Sequence, residues 1–178
     1  MLKNKKAVLI IPFKNYHDEE FDGVKRKLEQ SGIQVDVVSS HCGQARGKFN
    51  GTFEVSKDIN EIDIANYDVA VFIGGYGATE YFENPRALEI CNEAVKQSKV
   101  LAAICIAPVI LARAGVLKNK KATVWASSSD ILGITELEKA GVEYTSNPVE
   151  VDGKIITGRE PESTSLFSEK IKEILDKK

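Results

Sequence analysis

Uninterrupted apolar runs recur along this chain. Residues 7–11, 69–73 and 100–104 contain no polar side chain. Strands apolar on both faces belong inside a parallel sheet that is covered on both sides. Between the first two runs, Phe21, Val24 and Leu28 share one helical face, and Ser31-Gly32 closes that helix. Residues 33–38 then alternate as a second strand, which completes a strand–helix–strand unit with parallel strands. Residues 40–60, punctuated by Gly43, Gly47 and Gly51, predict a hairpin or excursion off the main sheet, with a strand at 51–55 and a short helix at 58–65. Asn84 is placed as an N-cap with Pro85 at the first helical position. That helix runs to about Ser98 with Leu88, Cys91 and Val95 on one face, making Cys91 a core residue. Residues 121–125 predict a strand, and Ser127 to Asp130 a helix cap or polar loop. A helix over 135–140 opens with the capping-box pattern Thr135-x-x-Glu138 and ends at Gly141. Two short strands, 149–151 and 154–157, flank the hairpin signal Asp152-Gly153, and residues 163–175 form an amphipathic helix. The order predicts one domain over residues 1–178: an α/β three-layer sandwich, its sheet mostly parallel, with helices on both faces.

The stretch from Lys99 to Gly115 passes from strand to helix through Cys105 with no loop between. A residue at such a junction is held in a strained, exposed pose, the geometry of a nucleophile elbow. Small neighbours are needed where strand and helix nearly touch, and Ala103 and Ala107 supply them. Unpaired N–H groups at the helix start would favour a thiolate there. A buried cysteine at a strand end accounts for the same residues.

Open α/β sheets build sites at the carboxyl ends of their strands. Here those ends carry His17-Asp18-Glu19-Glu20, Gly74-Gly75-Tyr76-Gly77-Ala78 and Cys105. Backbone N–H groups at Gly74 and Gly75, with that of Ile106 after the cysteine, could form an oxyanion hole; a plain tight turn also explains the glycines. A dinucleotide fingerprint is rejected, because the glycines follow the wrong strand and no suitable acid follows the next one. The three acids suit a helix N-terminus by themselves. Alternatively, one of them sits beside the sulfur, protonated, as a hydrogen-bond donor. His17 and His41 read as ordinary surface or interface residues, with His17 close enough to the edge to reach a pocket. Trp125 is either a pocket wall or core.

Composition excludes more than it selects. The 178 residues are 43% hydrophobic and 28% charged, with a formal net charge of −2, which gives no reason to expect nucleic acid or an anionic membrane as partner. Cys42, Cys91 and Cys105 form neither a disulfide framework nor a metal-ligand pattern, and with two histidines no metal or other cofactor is expected. The lysines before residue 7 precede an apolar run too short for a signal peptide and broken by Pro12, so a first strand and a cytoplasmic protein are expected.

Taken together, these residues resemble the ThiJ/PfpI superfamily. The resemblance covers nearly the whole chain. It rests on Asp18-Glu19-Glu20-Phe21, on Phe72 through Ala78, on Ala102 through Pro108, on Ala112 through Leu117 and on Val151 through Arg159. It implies a flavodoxin-like sandwich and a homodimer or larger homo-oligomer. Cys105 matches the oxidation-prone family cysteine, Glu20 the glutamate that contacts its sulfur, and Gly74 and Gly75 the glycine pair opposite. Peptidase-like relatives carry histidine directly after the cysteine, where this chain has Ile106.

The resemblance therefore implies an enzyme in which Cys105 attacks a small reactive aldehyde such as methylglyoxal, or its adduct on a glycated protein, as a glyoxalase or deglycase. A redox-sensing stress protein or chaperone oxidised at Cys105 is the alternative. A cysteine peptidase is disfavoured by Ile106, and a ligand-binding scaffold with an idle cysteine is the blandest reading.

Overall fold

A computed structural model describes residues 2–177. In chain order its elements are β1 (Lys6–Ile10), β2 (Lys14–Tyr16), α1 (Asp18–Gln30), β3 (Gln34–Val38), β4 (Gly43–Gly47), β5 (Thr52–Val55), β6 (Val69–Phe72), α2 (Pro85–Lys96), β7 (Val100–Ile104), α3 (Pro108–Arg113), β8 (Lys121–Ala122), α4 (Leu132–Lys139), β9 (Glu143–Tyr144), β10 (Val149–Asp152), β11 (Ile155–Gly158) and α5 (Thr164–Asp176). The main sheet is six-stranded in the order β10-β11-β7-β6-β1-β3. Every neighbouring pair in it is parallel except β10 with β11. The three apolar runs supply its centre, β7, β6 and β1, and are buried throughout apart from Lys6. Helices α1 and α5 pack together over one face, α2 and α3 over the other. This is the flavodoxin-like three-layer sandwich that the hydrophobic pattern and the resemblance imply. Among the described residues no helix is long and apolar enough to cross a membrane.

The excursion after β3 is a hairpin, β4 with β5, joined in parallel by the short β2 into a second sheet. No alternation marks β2, because its three residues pair along one edge only. Asp18 ties this hairpin to the start of α1: its carboxylate accepts from the N–H groups of Phe49, at 2.8 Å, and Gly51, at 2.7 Å.

Several local expectations are corrected. Residues 58–65 form two separate 3₁₀ turns, at Ile59–Glu61 and Ile64–Asn66, rather than one helix. The strand expected at 121–125 pairs only over β8, with β9. Beyond it the chain is stitched to its surroundings singly: the Thr123 N–H donates to Thr157 Oγ1 at 2.9 Å, and that of Trp125 to the Cys105 carbonyl at 2.8 Å. Helix α4 begins at Leu132, before the expected capping box, because Asp130 Oδ1 accepts the Leu132 N–H at 3.0 Å and starts the helix earlier. In the β10–β11 hairpin Asp152 pairs with Ile155, so the turn is Gly153-Lys154. Asp152 instead accepts from Lys120 Nζ and the Lys121 N–H.

Helix α2 carries the expected cap, the Asn84 side chain accepting from the N–H groups of Arg86 and Ala87. Its buried face, however, is Ala87, Ile90, Cys91 and Ala94, with Val95 left 42% exposed. Small alanines let this helix lie close to the sheet, and close packing outranks side-chain hydrophobicity in choosing the face. Ile90→Ala is therefore expected to cost about 2–5 kcal/mol. Val95→Lys should change stability by about 0.5 kcal/mol or less. Urea unfolding of the two variants checks the assignment; equal losses would reject it.

Candidate active site

The carboxyl ends of β1, β6 and β7 converge, and each delivers one part of the site. After β7 the backbone reverses at Cys105, whose φ of 63° lies in the left-handed region. A side chain held there costs about 1–3 kcal/mol and persists only under outside constraint. That constraint is visible: the Cys105 N–H donates to the Gly158 carbonyl at 2.9 Å, and its carbonyl accepts from Trp125. Ala103 and Ala107, both fully buried, leave room for the bend.

After β6 come Gly74 and Gly75. A Cβ on Gly74 would lie 2.5 Å from the Cys105 Cβ and 2.6 Å from Glu20 Oε2, so only hydrogen fits between thiol and acid. Gly75 has φ of 98°, and the chain from Asn15 to His17 crosses directly over it. After β1, by way of β2, comes the first turn of α1. Its three acids separate by depth: Asp18 holds the hairpin, Glu19 is exposed and Glu20 is fully buried.

Glu20 Oε2 accepts the Gly74 N–H at 3.0 Å, and the carboxyl hydrogen-bonds the Cys105 thiol. Burial drives its pKa up to about 8, against the pull of the hydrogen bonds from Cys105 and Gly74. The N–H groups of Gly75 and Ile106 point at the sulfur. Gly74 therefore plays a different part from the one expected, since its N–H is committed to Glu20 and does not face an incoming oxygen. Cys105 is 8% exposed. Burial first, then the Glu20 charge, push its thiol above the ordinary value, against Gly75 and Ile106. A thiolate held down by a helix dipole is thus not the resting state. Helix α3 is short and starts only at Pro108, so desolvation prevails over its N-terminus. The thiol and carboxyl titrate as a coupled pair, and either proton arrangement of the singly ionised pair supplies a nucleophile.

Cys105 opens onto a pocket of about 180 Å³, walled by His17, Gly75, Tyr76, Thr79, Ile106, Trp125 and Leu132, with Lys48, Asp130 and Pro161 completing it. Trp125 is a pocket wall. His17 also belongs to the pocket: its side chain is 12% exposed, with Nδ1 3.9 Å from Glu20 Oε1. His41 does not; it lies exposed, bonded to Ser40. Lys48 reaches the pocket from the β4–β5 hairpin and Asp130 from the loop before α4, placements that no local motif marks. Among the described residues no group of three or more His, Cys, Asp or Glu side chains could hold a metal ion. Cys42 is exposed and Cys91 buried, both free.

A flavodoxin-like sandwich with a cysteine on a strained strand–helix turn, backed by a buried carboxyl, defines an elbow-cysteine α/β protein. The chain belongs to the DJ-1/PfpI family, whose profile matches residues 5–174. An uncharacterized protein of Methanocaldococcus jannaschii is 37% identical over 177 residues, covering 99% of this chain and 85% of that protein. Deglycase PfpI of Pyrococcus furiosus is 29% identical over 154 residues, covering 86% of this chain and 90% of the deglycase. The crystal structure of a ThiJ/PfpI domain protein from Brachyspira murdochii superposes with a TM-score of 0.90 at 26% identity, covering 96% of each chain.

Two measurements follow from the pair. In a Cys42→Ser background, iodoacetamide labelling of Cys105 should rise through a midpoint near about 8, where the pair loses its first proton. Glu20→Leu, which removes the proton acceptor from a buried thiol, should move that midpoint up by about one unit or more. An unchanged midpoint would uncouple the two groups. The Glu20 carboxyl also links stability to pH. Its folded pKa of about 8 exceeds the ordinary 4.5, so between these values the folded state keeps a proton that the unfolded chain has released. Stability falls as pH rises through that window. Glu20→Gln lacks this penalty, so its Tm relative to wild type should climb from pH 5 to pH 8; a gap independent of pH would contradict a buried, neutral carboxyl.

Proposed function

We propose that this protein converts a small reactive dicarbonyl such as methylglyoxal, or its adduct on protein, through Cys105. The observation that carries the reading is the contact of the strained elbow thiol with a buried carboxyl beside a small pocket. Sites for drug-sized ligands span about 300–1,000 Å³. A pocket of about 180 Å³ suits a three-carbon aldehyde or one modified side chain. Sulfur attacks the aldehyde carbon, a C–S bond forms, and the carbonyl π pair moves to oxygen; the Gly75 and Ile106 N–H groups, which hold the resting sulfur, turn to that oxygen as the negative charge leaves sulfur. The proton left on the pair goes to that oxygen, giving a hemithioacetal. Glu20, lying against the sulfur, then takes the proton of the carbon bonded to it and returns it to the second carbon, while the hydroxyl proton passes from the first oxygen to the second, leaving a lactoyl thioester. Water hydrolyses it to lactate and restores the thiol.

The deglycase name of the Pyrococcus furiosus relative supports the substrate class. With Ile106 after the cysteine, the imidazole that would activate a peptidase thiol at that position is missing. Free thiols suit a cytoplasmic setting. Exposed Phe49, Tyr76, Ile131 and Leu132 near the pocket suit a homodimer or larger homo-oligomer.

Purified protein should form lactate from methylglyoxal, and Cys105→Ser should abolish it. Equal turnover by the serine variant rejects the reading. Absence of lactate, with peroxide adding two oxygens at Cys105, replaces it with the redox-sensing one.

A further inference from the structure

Glu20 is fully buried and forms no part of the pocket wall. Apart from the carbon bonded to sulfur, which lies against it, a proton can pass between Glu20 and the pocket by two neighbours. One is the Cys105 thiol, which has no proton to exchange once sulfur carries an acyl group. The other is His17, which lines the pocket and turns Nδ1 toward Glu20 Oε1 at 3.9 Å. Both of these atoms are buried and neither has a hydrogen-bond partner. Buried polar atoms without partners are uncommon, and two facing each other mark a place where a proton or a water is exchanged. The separation exceeds a direct hydrogen bond, so proton exchange needs a small ring rotation or one bridging water to close it. The residue is well held: its backbone N–H donates to the Gly74 carbonyl at 3.1 Å, and the Phe49 ring meets the imidazole edge-on at 5.4 Å.

We propose that His17 is the proton-transfer group of this pocket. It exchanges a proton with Glu20 and takes the proton of the water that releases product from Cys105; this second role rests on the proposed function. In that step the water oxygen bonds to the thioester carbon, the C–S bond breaks, and its electron pair leaves with sulfur. The water proton passes to His17 and, through Glu20, to sulfur. Thioester and water become acid and thiol, with no other reactant. The charges of Lys48, Asp18, Glu19 and Glu162 act on His17, and those of Glu19 and Glu162 on Glu20. Burial and then Lys48 lower the His17 pKa against the three acids, so the ring is a neutral acceptor at pH 7. The imidazole absent after Cys105 thus enters from the other side of the site.

The test compares the full-length wild type with His17→Gln. The variant should lose about 10²-fold in lactate formation. It should accumulate on Cys105 an adduct with the mass of one methylglyoxal that hydroxylamine cleaves, while iodoacetamide labelling stays close to wild type. A variant that releases lactate at the wild-type rate overturns the proposal. A second readout needs no turnover. In ring-¹⁵N NMR titration of the wild type, the His17 signal should show an added inflection near pH 8 that Glu20→Gln removes. No such inflection overturns the proton link. If the wild type forms no lactate, the proposed function fails and this titration alone decides whether His17 and Glu20 are linked; it also decides if His17→Gln does not fold.

Discussion

A carboxyl group in the interior has to be neutralised, shared or paired, and this molecule shares it. Glu20 stands between the Gly74 N–H and the Cys105 thiol with no access to solvent. The cost of ionising it there is what raises its pKa, and the raised pKa suits it to move protons near neutrality. Much of the local backbone serves this contact. Gly74 lacks a side chain because the space is filled by the thiol and the acid. Cys105 accepts a left-handed backbone because that pose turns its sulfur toward Glu20 and the pocket. The hairpin that Asp18 secures to the start of α1 carries Lys48 and Phe49 up to the pocket and against His17.

The sheet makes this arrangement rigid. Three central strands, buried on both faces, end at the same edge, so the glycines and the thiol sit on turns that leave fixed strands and the acid on the helix turn beside them. Interiors of this kind are packed as densely as crystals. A strained residue such as Cys105 can therefore be held by its neighbours, without a disulfide or a metal. Family membership follows from the whole assembly, while activity depends on a few side chains at the rim.

The parallel core, the elbow at Cys105 and the glycine turn were legible in the chain because each depends on near neighbours in sequence: apolar runs, small residues beside the cysteine, paired glycines. The choice of Glu20 among three adjacent acids came from the family resemblance and from no local pattern. Asp18, Glu19 and Glu20 are chemically alike at a helix start, and only the packing of α1 against the sheet decides which one is buried. The same reason explains the α2 error, where Val95 resembles a core residue and the alanines do not.

By itself, then, the sequence determined the layer architecture, the position of the elbow cysteine and the resemblance that placed it in a family, since these are set by periodicity and short motifs. The tertiary structure alone decided the protonation of the pair, the commitment of the Gly74 N–H to Glu20, and the placing of His17, Lys48 and Trp125 around one small pocket. Those properties arise from burial and from contacts between residues far apart in the chain, and neither burial nor distance is written in local order.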